Sequence, residues 1–350
     1  MDGYCGLNDD WEIERELNPI DLPIVQRLIV KHADFLTQIN LNRVSKAFKN
    51  ASLLEPPKIS KINVIAGSSE ILVQLFDEKI KNWINLEYKK IAEPEERVKN
   101  KTRRRVTENL NIKEDWKERR HEQVFAMDFI FLADQLSGCV LEELDFKIRV
   151  PPFFNPHGFD MNIFFNAFVR RLKHKICTKK FTFFVDDDLD YCHTFGPFMM
   201  RILNPETLES INIQVKEKEC RSRYESEEFD TEDIANTVQW RSAKHLEAGN
   251  LINEISAKDL IGFRTIKMHR IRPYELRKLK DESLKAPPKN ECVITLVKPM
   301  DINEIAEKFD LPDGLPGDGI LRYPIPNRNQ DLVMNIEEHK IVMTVEKRQF

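Results

Sequence analysis

The sequence predicts a mixed α/β chain: a short unit of three helices, then an array of alternating strands and helices, then a β-hairpin. Three observations predict it. Residues 21–52, DLPIVQRLIVKHADFLTQINLNRVSKAFKNAS, repeat apolar side chains at helical spacing. From residue 122 onward, helical and strand patterns alternate, and the strand cores recur at intervals of about 20 to 37 residues. Finally, DLVMNIE and KIVMTVEK alternate strictly on either side of Glu338 and His339, as the two arms of a hairpin do.

In the first unit, Asp21-Leu22-Pro23 opens a helix. A short acidic side chain can cap the free N–H groups, and proline is tolerated in a first turn, where its missing N–H would lack a partner anyway. Ile24, Val25, Leu28, Ile29 and the pair His32-Ala33 follow on one face. Asp34-Phe35-Leu36 is expected to form a brief second turn. Leu41, Val44, Ala47 and Phe48 then repeat the amphipathic pattern, with Arg43, Lys46 and Lys49 on the wet side. A unit this small has too much surface for its volume to enclose all these groups. Some are left for a partner.

Glu55-Pro56-Pro57 closes the unit, which spans residues 18–57 behind a flexible stretch at 1–17. The second domain is expected over 58–348. KINVIAG, around Ile62 to Ala66, reads as a strand, and Ile84 to Ile91 as another. Residues 92–121 are dense in charge and read as a solvated helix or an insertion. A helix with Phe125, Phe129, Leu132 and Leu136 then precedes the strand LEELDFKIRV. A helix with Phe164, Phe165, Phe168, Val169 and Leu172 precedes KFTFFVDD, and a helix from His193 to Leu203 precedes LESINIQV. The region of Trp240 leads into KHLEAGNLI and FRTIKMHRI, and a helix from Pro273 to Leu284 leads into ECVITLV. Asp301 and Glu304 form a capping-box-like pair ahead of Ile302, Ile305 and Phe309. Strand and helix units at this spacing bury their apolar faces only by stacking on neighbours. The expected solution is an irregular leucine-rich-repeat-like α/β array, although no LxxLxLxxN signature is present. An ordinary mixed sheet is the competing architecture.

Composition narrows the function. Net charge is −4, from 54 basic and 58 acidic residues, so no overall field draws the chain to nucleic acid. Cys5, Cys139, Cys177, Cys192, Cys220 and Cys292 are scattered without a Cys-x-x-Cys pair, as expected for reduced thiols in the cytoplasm or nucleus. MDGYCGLNDDWEIERE is acidic and lacks the apolar centre of a signal peptide. No apolar run approaches the ~18 residues of a membrane span.

Catalytic motifs fail on inspection. Asp186 to Asp190 offers alternate carboxylates, but Tyr191 and Pro197 stand where a calcium loop needs Gly and Glu. His174, Cys177, Cys192 and His193 match no zinc spacing. Gly314, Gly317 and Gly319 are not followed by the Lys-Ser/Thr of a phosphate loop. The expectation is a non-enzymatic chain without cofactor. The basic run Lys99, Lys101, Arg103, Arg104 and Arg105 is offset by Glu93, Glu95, Glu96, Glu108, Glu114 and Asp115, so a solvated face is favoured over an RNA contact.

Polar side chains recur on one side of several strands. Asp145, Lys147 and Arg149 alternate with Leu144, Phe146 and Ile148; Asn212, Gln214 and Lys216 alternate with Ile211, Ile213 and Val215; Lys267 and His269 alternate with Ile266 and Met268. Held on a sheet, they are candidates for binding a target; simple solvation is the competing reading.

Two stretches resemble known families. Leu-Pro, an apolar helix and LNRVSKAFKN resemble the F-box, with Ser45 where many members carry Cys and Ala33-Asp34-Phe35 in place of Leu-Asp-Pro. LNPETLESINI (203–213), VQWRSAKHLE (238–247), FRTIKMHRIRPYELRKLKDESLKAP (263–287), DINEIAEKFD and RYPIPNRNQDLVMNIEEHKIVMTVEK together resemble the FTH domain. The combination is similar to nematode F-box proteins with a C-terminal FTH domain, the F-box A class. That resemblance implies a substrate receptor of an SCF-type cullin-RING ubiquitin ligase. Leu22, Pro23, Ile24, Leu28, Ile29, Phe35, Leu41, Val44 and Phe48 would then serve the Skp-type adaptor or the unit's own core, and the second domain would hold a target protein. A scaffold or sequestering protein without a ligase role is the alternative.

Overall fold

A computed structural model describes residues 23–55, 57–67, 70–91, 101–107, 112–117, 121–149, 168, 172–186, 189–216, 232–249, 255–312 and 314–348. The chain divides between Pro57 and Lys58 into two compact units.

The first unit contains α1 (Pro23–His32), α2 (Phe35–Val44) and α3 (Lys46–Leu54). Asp34 Oδ1 accepts the amide of Thr37 at 2.7 Å and caps α2. The expected brief turn at Phe35-Leu36 is therefore the start of a ten-residue helix. Ser45 ends that helix by donating its N–H to Leu41, and begins the next by accepting from Ala47 at 3.2 Å. Leu41 and Phe48, expected on one helix, consequently lie on two. Asp21 and Leu22 lie outside the described residues, and Pro23 is the first residue of α1. Val30, Phe48 and Ala51 form the unit's buried cluster, with Ile29 and Leu41 packed against it.

The second unit is built on one sheet. Its first strands are β1 (Ile59–Ala66), β2 (Glu70–Asp77), β3 (Asn82–Ile91), β4 (Lys101–Thr107) and β5 (Ile112–Lys117), an antiparallel meander. The segment expected as a solvated helix or insertion at 92–121 thus contributes two strands. Strand 2 was not expected at all: Leu72 and Phe76 put apolar residues on both faces of EILVQLFD and mask its alternation.

After α4 (His121–Gln135), β6 (Leu141–Arg149) pairs in parallel with β1. The remaining parallel strands are β7 (Thr178–Asp186), β8 (Ser210–Lys216), β9 (His245–Ala248), β10 (Thr265–Met268) and β11 (Cys292–Leu296). Between them stand α5 (Leu189–Ile202), α6 (Glu232–Ala235), α7 (Val238–Ser242), α8 (Ala257–Leu260) and α9 (Pro273–Lys285). Then follow α10 (Ile302–Lys308), β12 (Ile320–Pro324), β13 (Gln330–Glu337) and β14 (Lys340–Lys347). Among the described residues the sheet has 14 strands in the order β12-β13-β14-β11-β10-β9-β8-β7-β6-β1-β2-β3-β4-β5.

From β6 to β11 each strand lies beside its successor in sequence. Right-handed crossovers that always step the same way put their helices on one face. That face holds the core. Leu144, Phe146 and Ile148 of β6 and Phe181 and Phe183 of β7 are buried there. Phe146 lies 6.4 Å from Phe125 and 6.2 Å from Phe129, both on α4. Phe129 continues the aromatic cluster to Phe168 at 5.5 Å. The rest of the helix expected around Phe164 lies outside the described residues, save Leu172. Asp301 caps α10, accepting from Asn303 and Glu304.

The terminal hairpin joins Glu337 to Lys340 across Glu338 and His339. Its turn is pinned to the end of β11, because Leu296 N–H donates to His339 O and Met300 N–H to Glu338 O, each at 2.8 Å. Among the described residues no helix is long and apolar enough to cross a membrane.

Candidate interaction surfaces

The helical unit separates its apolar residues into two sets. Ile24 and Leu28 are 68% and 49% exposed, and one turn apart they form a ridge on α1. Leu54, at the end of α3, is 65% exposed and had no signal in the sequence to distinguish it. Ile29 and Leu41 are half-buried against the internal cluster, and Phe35 and Phe48 are buried. Pro23 is exposed, Leu22 lies outside the described residues, and so does the side chain of Val44. Of the residues expected to serve the adaptor, Pro23, Ile24 and Leu28 are thus exposed, and Phe48 belongs to the unit's buried cluster.

On the sheet, the face opposite the core carries polar rows that cross many strands. One row starts at Asn85 and passes through Gln74, Asn63 and Asp145. It continues through Thr182, Asn212, Glu247 and Lys267. Neighbours in this row bond to one another: Asn63 Nδ2 donates to Gln74 Oε1 at 2.6 Å, and Gln74 Nε2 to Asn85 Oδ1 at 3.1 Å. The adjacent row carries Lys61, Glu143, Lys180 and Ser210. There Glu143 sits between Lys180 at 2.6 Å and Lys61 at 3.6 Å.

Of the residues expected to bind a target, those with described side chains are unequal in availability. Asn212 is buried, and its Oδ1 accepts from Gln214 Nε2 at 3.1 Å. Lys267 is exposed yet paired to Glu247 at 2.8 Å. Lys147 and Gln214 share a row with Phe184. Arg149 is exposed at the end of β6, His269 is half-buried just beyond β10, and the side chain of Lys216 lies outside the described residues. Asn63 and Thr182, in the same row as Asp145, are not among the residues expected to bind a target. A lone amide inside the apolar run KINVIA, and a lone hydroxyl inside FTFF, were the available signals.

Electrostatics divide the carboxylates of the face. Burial works against the charge of Glu143, but the bonds and charges of Lys180 and Lys61 outweigh it and hold its carboxyl below the usual range. Asp145 goes the other way: burial raises its pKa, with the Thr182 hydroxyl and the charges of Lys147 and Lys180 opposing only in part. Among the described residues no three of His, Cys, Asp or Glu gather to hold a metal.

One unit carries a polar sheet face, and the other an exposed apolar ridge. The family comparison narrows this: an FTH domain is found at residues 162–313. The match runs from ahead of β7 to just past α10 and so contains β7 to β11, a shorter span than the expected 58–348. No curated protein matches the chain.

Proposed function

We propose that this chain is the substrate-recognition subunit of an SCF-type cullin-RING ubiquitin ligase. The helical unit acts as an F-box and docks on a Skp-type adaptor through Ile24 and Leu28, and the sheet unit binds a target protein. The observation that carries this reading is an FTH domain at 162–313 that follows, in the sequence, a separate three-helix unit with an exposed apolar ridge. On this reading the chain works in the cytoplasm or nucleus and performs no chemistry itself. Its contribution is proximity: a target held beside a charged ubiquitin carrier reacts at a raised effective concentration.

Co-purification of the full chain with a Skp-type adaptor and cullin tests the proposal. The parent is expected to recover both, and an Ile24→Ala/Leu28→Ala variant with an unchanged circular dichroism spectrum to lose them. A folded parent that recovers neither, or a variant that recovers both equally, overturns the ligase role in favour of a scaffold whose target is untouched by the proteasome.

A further inference from the structure

The turn between β2 and β3 carries an apolar side chain where turns are ordinarily polar: Ile80 is 39% exposed. Three residues on, Trp83 is 38% exposed near the start of β3. It lies opposite Phe76 of β2, and the two rings meet edge to face with centroids 5.3 Å apart. Phe76 is half-buried, and its neighbour on β1 is Lys61. The aromatic pair therefore continues the row of Lys61, Glu143 and Lys180 on the face opposite the core.

Charge at this end of the sheet is mostly positive. Lys58, Lys61, Lys79 and Lys81 stand against Asp77 and Glu78. Lys58, Lys61 and Lys81 are exposed, and Lys58 sits beside the turn, its carbonyl accepting the Glu78 N–H at 2.8 Å. Both carboxylates are already engaged. Asp77 is buried and accepts the Lys79 N–H at 2.8 Å. Glu78 is held by Lys81 and by the Ser60 hydroxyl, which keep its carboxyl below the usual range. Glu143 meets Lys61 only at 3.6 Å, with Lys180 closer at 2.6 Å.

We propose that this end of the β2–β3 hairpin is a docking surface for the target protein, and that it takes an acidic segment carrying a large apolar side chain. The apolar group packs on Trp83 and Phe76, where tryptophan offers a broad rigid surface and an indole N–H that only donates. Carboxylates of the segment accept from that N–H and face Lys58, Lys61 and Lys81, whose flexible stems adapt to their positions. A basic segment is repelled, and an acidic segment without the apolar group gains only screened surface attraction. A second copy of this chain would bring the same positive rim to a symmetric contact, so self-pairing here is disfavoured. The surface lies on the meander that precedes the FTH match at 162–313 in sequence. It rests on the reading that the sheet unit holds the target.

The probes are three capped hexapeptides, Glu-Asp-Leu-Phe-Asp-Glu, Glu-Asp-Ser-Ser-Asp-Glu and Lys-Lys-Leu-Phe-Lys-Lys, titrated into the full chain and followed by indole N–H signals in NMR. The first is expected to shift the Trp83 signal, to weaken as salt rises, and to bind at least about tenfold more tightly than either of the others. Trp83→Ala is expected to weaken it at least about tenfold and Lys58→Gln/Lys61→Gln about fivefold, while Arg322→Gln, on β12, leaves it unchanged. Equal binding of the three peptides, or tighter binding of the second or third, overturns the surface. Undiminished binding to a folded Trp83→Ala variant does so too. The lysine variant keeps the test decisive should Trp83→Ala fail to fold, because undiminished binding there also overturns the surface. Adaptor recovery by the same preparations reads the ligase role separately: its absence with peptide binding intact overturns that role alone, and the reverse overturns the surface alone.

Discussion

The side-chain amide of Gln38, on α2, donates to the backbone carbonyl of Val30 at 2.9 Å and to that of Ala33 at 3.3 Å. The Val30 carbonyl also accepts the Ala33 N–H at 3.2 Å, and the bonds from Gln38 add donors of α2 at the end of α1. Gln38 is buried, and its bond ties two helices that would otherwise rely on a small apolar cluster. Replacement by alanine is expected to destabilise the helical unit by about 1–3 kcal/mol. Denaturant titration of the full chain, followed by hydrogen exchange at α1 and α2, checks it.

Leu28 and Phe48 are expected to respond differently to the same truncation. Leu28 is half exposed, so Leu28→Ala is expected to change stability by no more than about 0.5 kcal/mol while weakening adaptor recovery. Phe48 is part of the buried cluster, and Phe48→Ala is expected to cost about 3–5 kcal/mol. Melting curves measured beside adaptor recovery separate the two; equal destabilisation would place Leu28 in the core.

The two carboxylates of the face should give opposite pH dependence. Burial raises the folded pKa of Asp145, so its stabilising contribution is complete below the unfolded value of about 3.9 and is lost as pH rises through the folded value. Asp145→Asn is therefore expected to melt above the parent at pH 7, with the gap closing below about pH 3.5. For Glu143 the folded pKa is lowered, so its contribution is present above the unfolded value and lost as pH falls through the folded one. Glu143→Gln is expected to melt below the parent at pH 7 and to converge with it in acid. Melting temperatures across pH 3 to 7.5 test both signs.

Gly319 enters β12 with φ +72°, and a Cβ there would sit 2.6 Å from the carbonyl oxygen of Ile336. The obstacle is backbone, which Ile336 N–H also ties to Gly319 O at 3.0 Å. Gly319→Ala is expected to destabilise by more than about 1 kcal/mol, because the left-handed conformation is itself strained for a residue with a Cβ. Calorimetry of the purified variant measures it; an unchanged melting temperature would refute the expected strain.

Alternation made β1, β6 and the final hairpin legible, since most of the apolar residues of each strand fall on its buried face. Residues of both kinds on both faces hid β2, and charge hid β4 and β5. The break at Ser45 was missed because the apolar spacing from Leu41 to Phe48 continues through it, and only the capping geometry interrupts the helix. Polar faces of single strands were readable, but the row was not. It depends on the register that sets Asn63 beside Asp145 and Asp145 beside Thr182, and nothing local encodes that pairing.

Order along the chain and order in space coincide from β6 to β11, where each strand is added beside the last. Such a stack can propagate by nearest-neighbour steps. The join between β1 and β6 is different in kind, because the whole meander intervenes in sequence. Closing it requires a long loop to be ordered first, which slows folding. Asn63 lies on one side of that seam and Asp145 and Thr182 on the other. A newly made chain therefore carries no complete polar row until this most distant junction in sequence has formed.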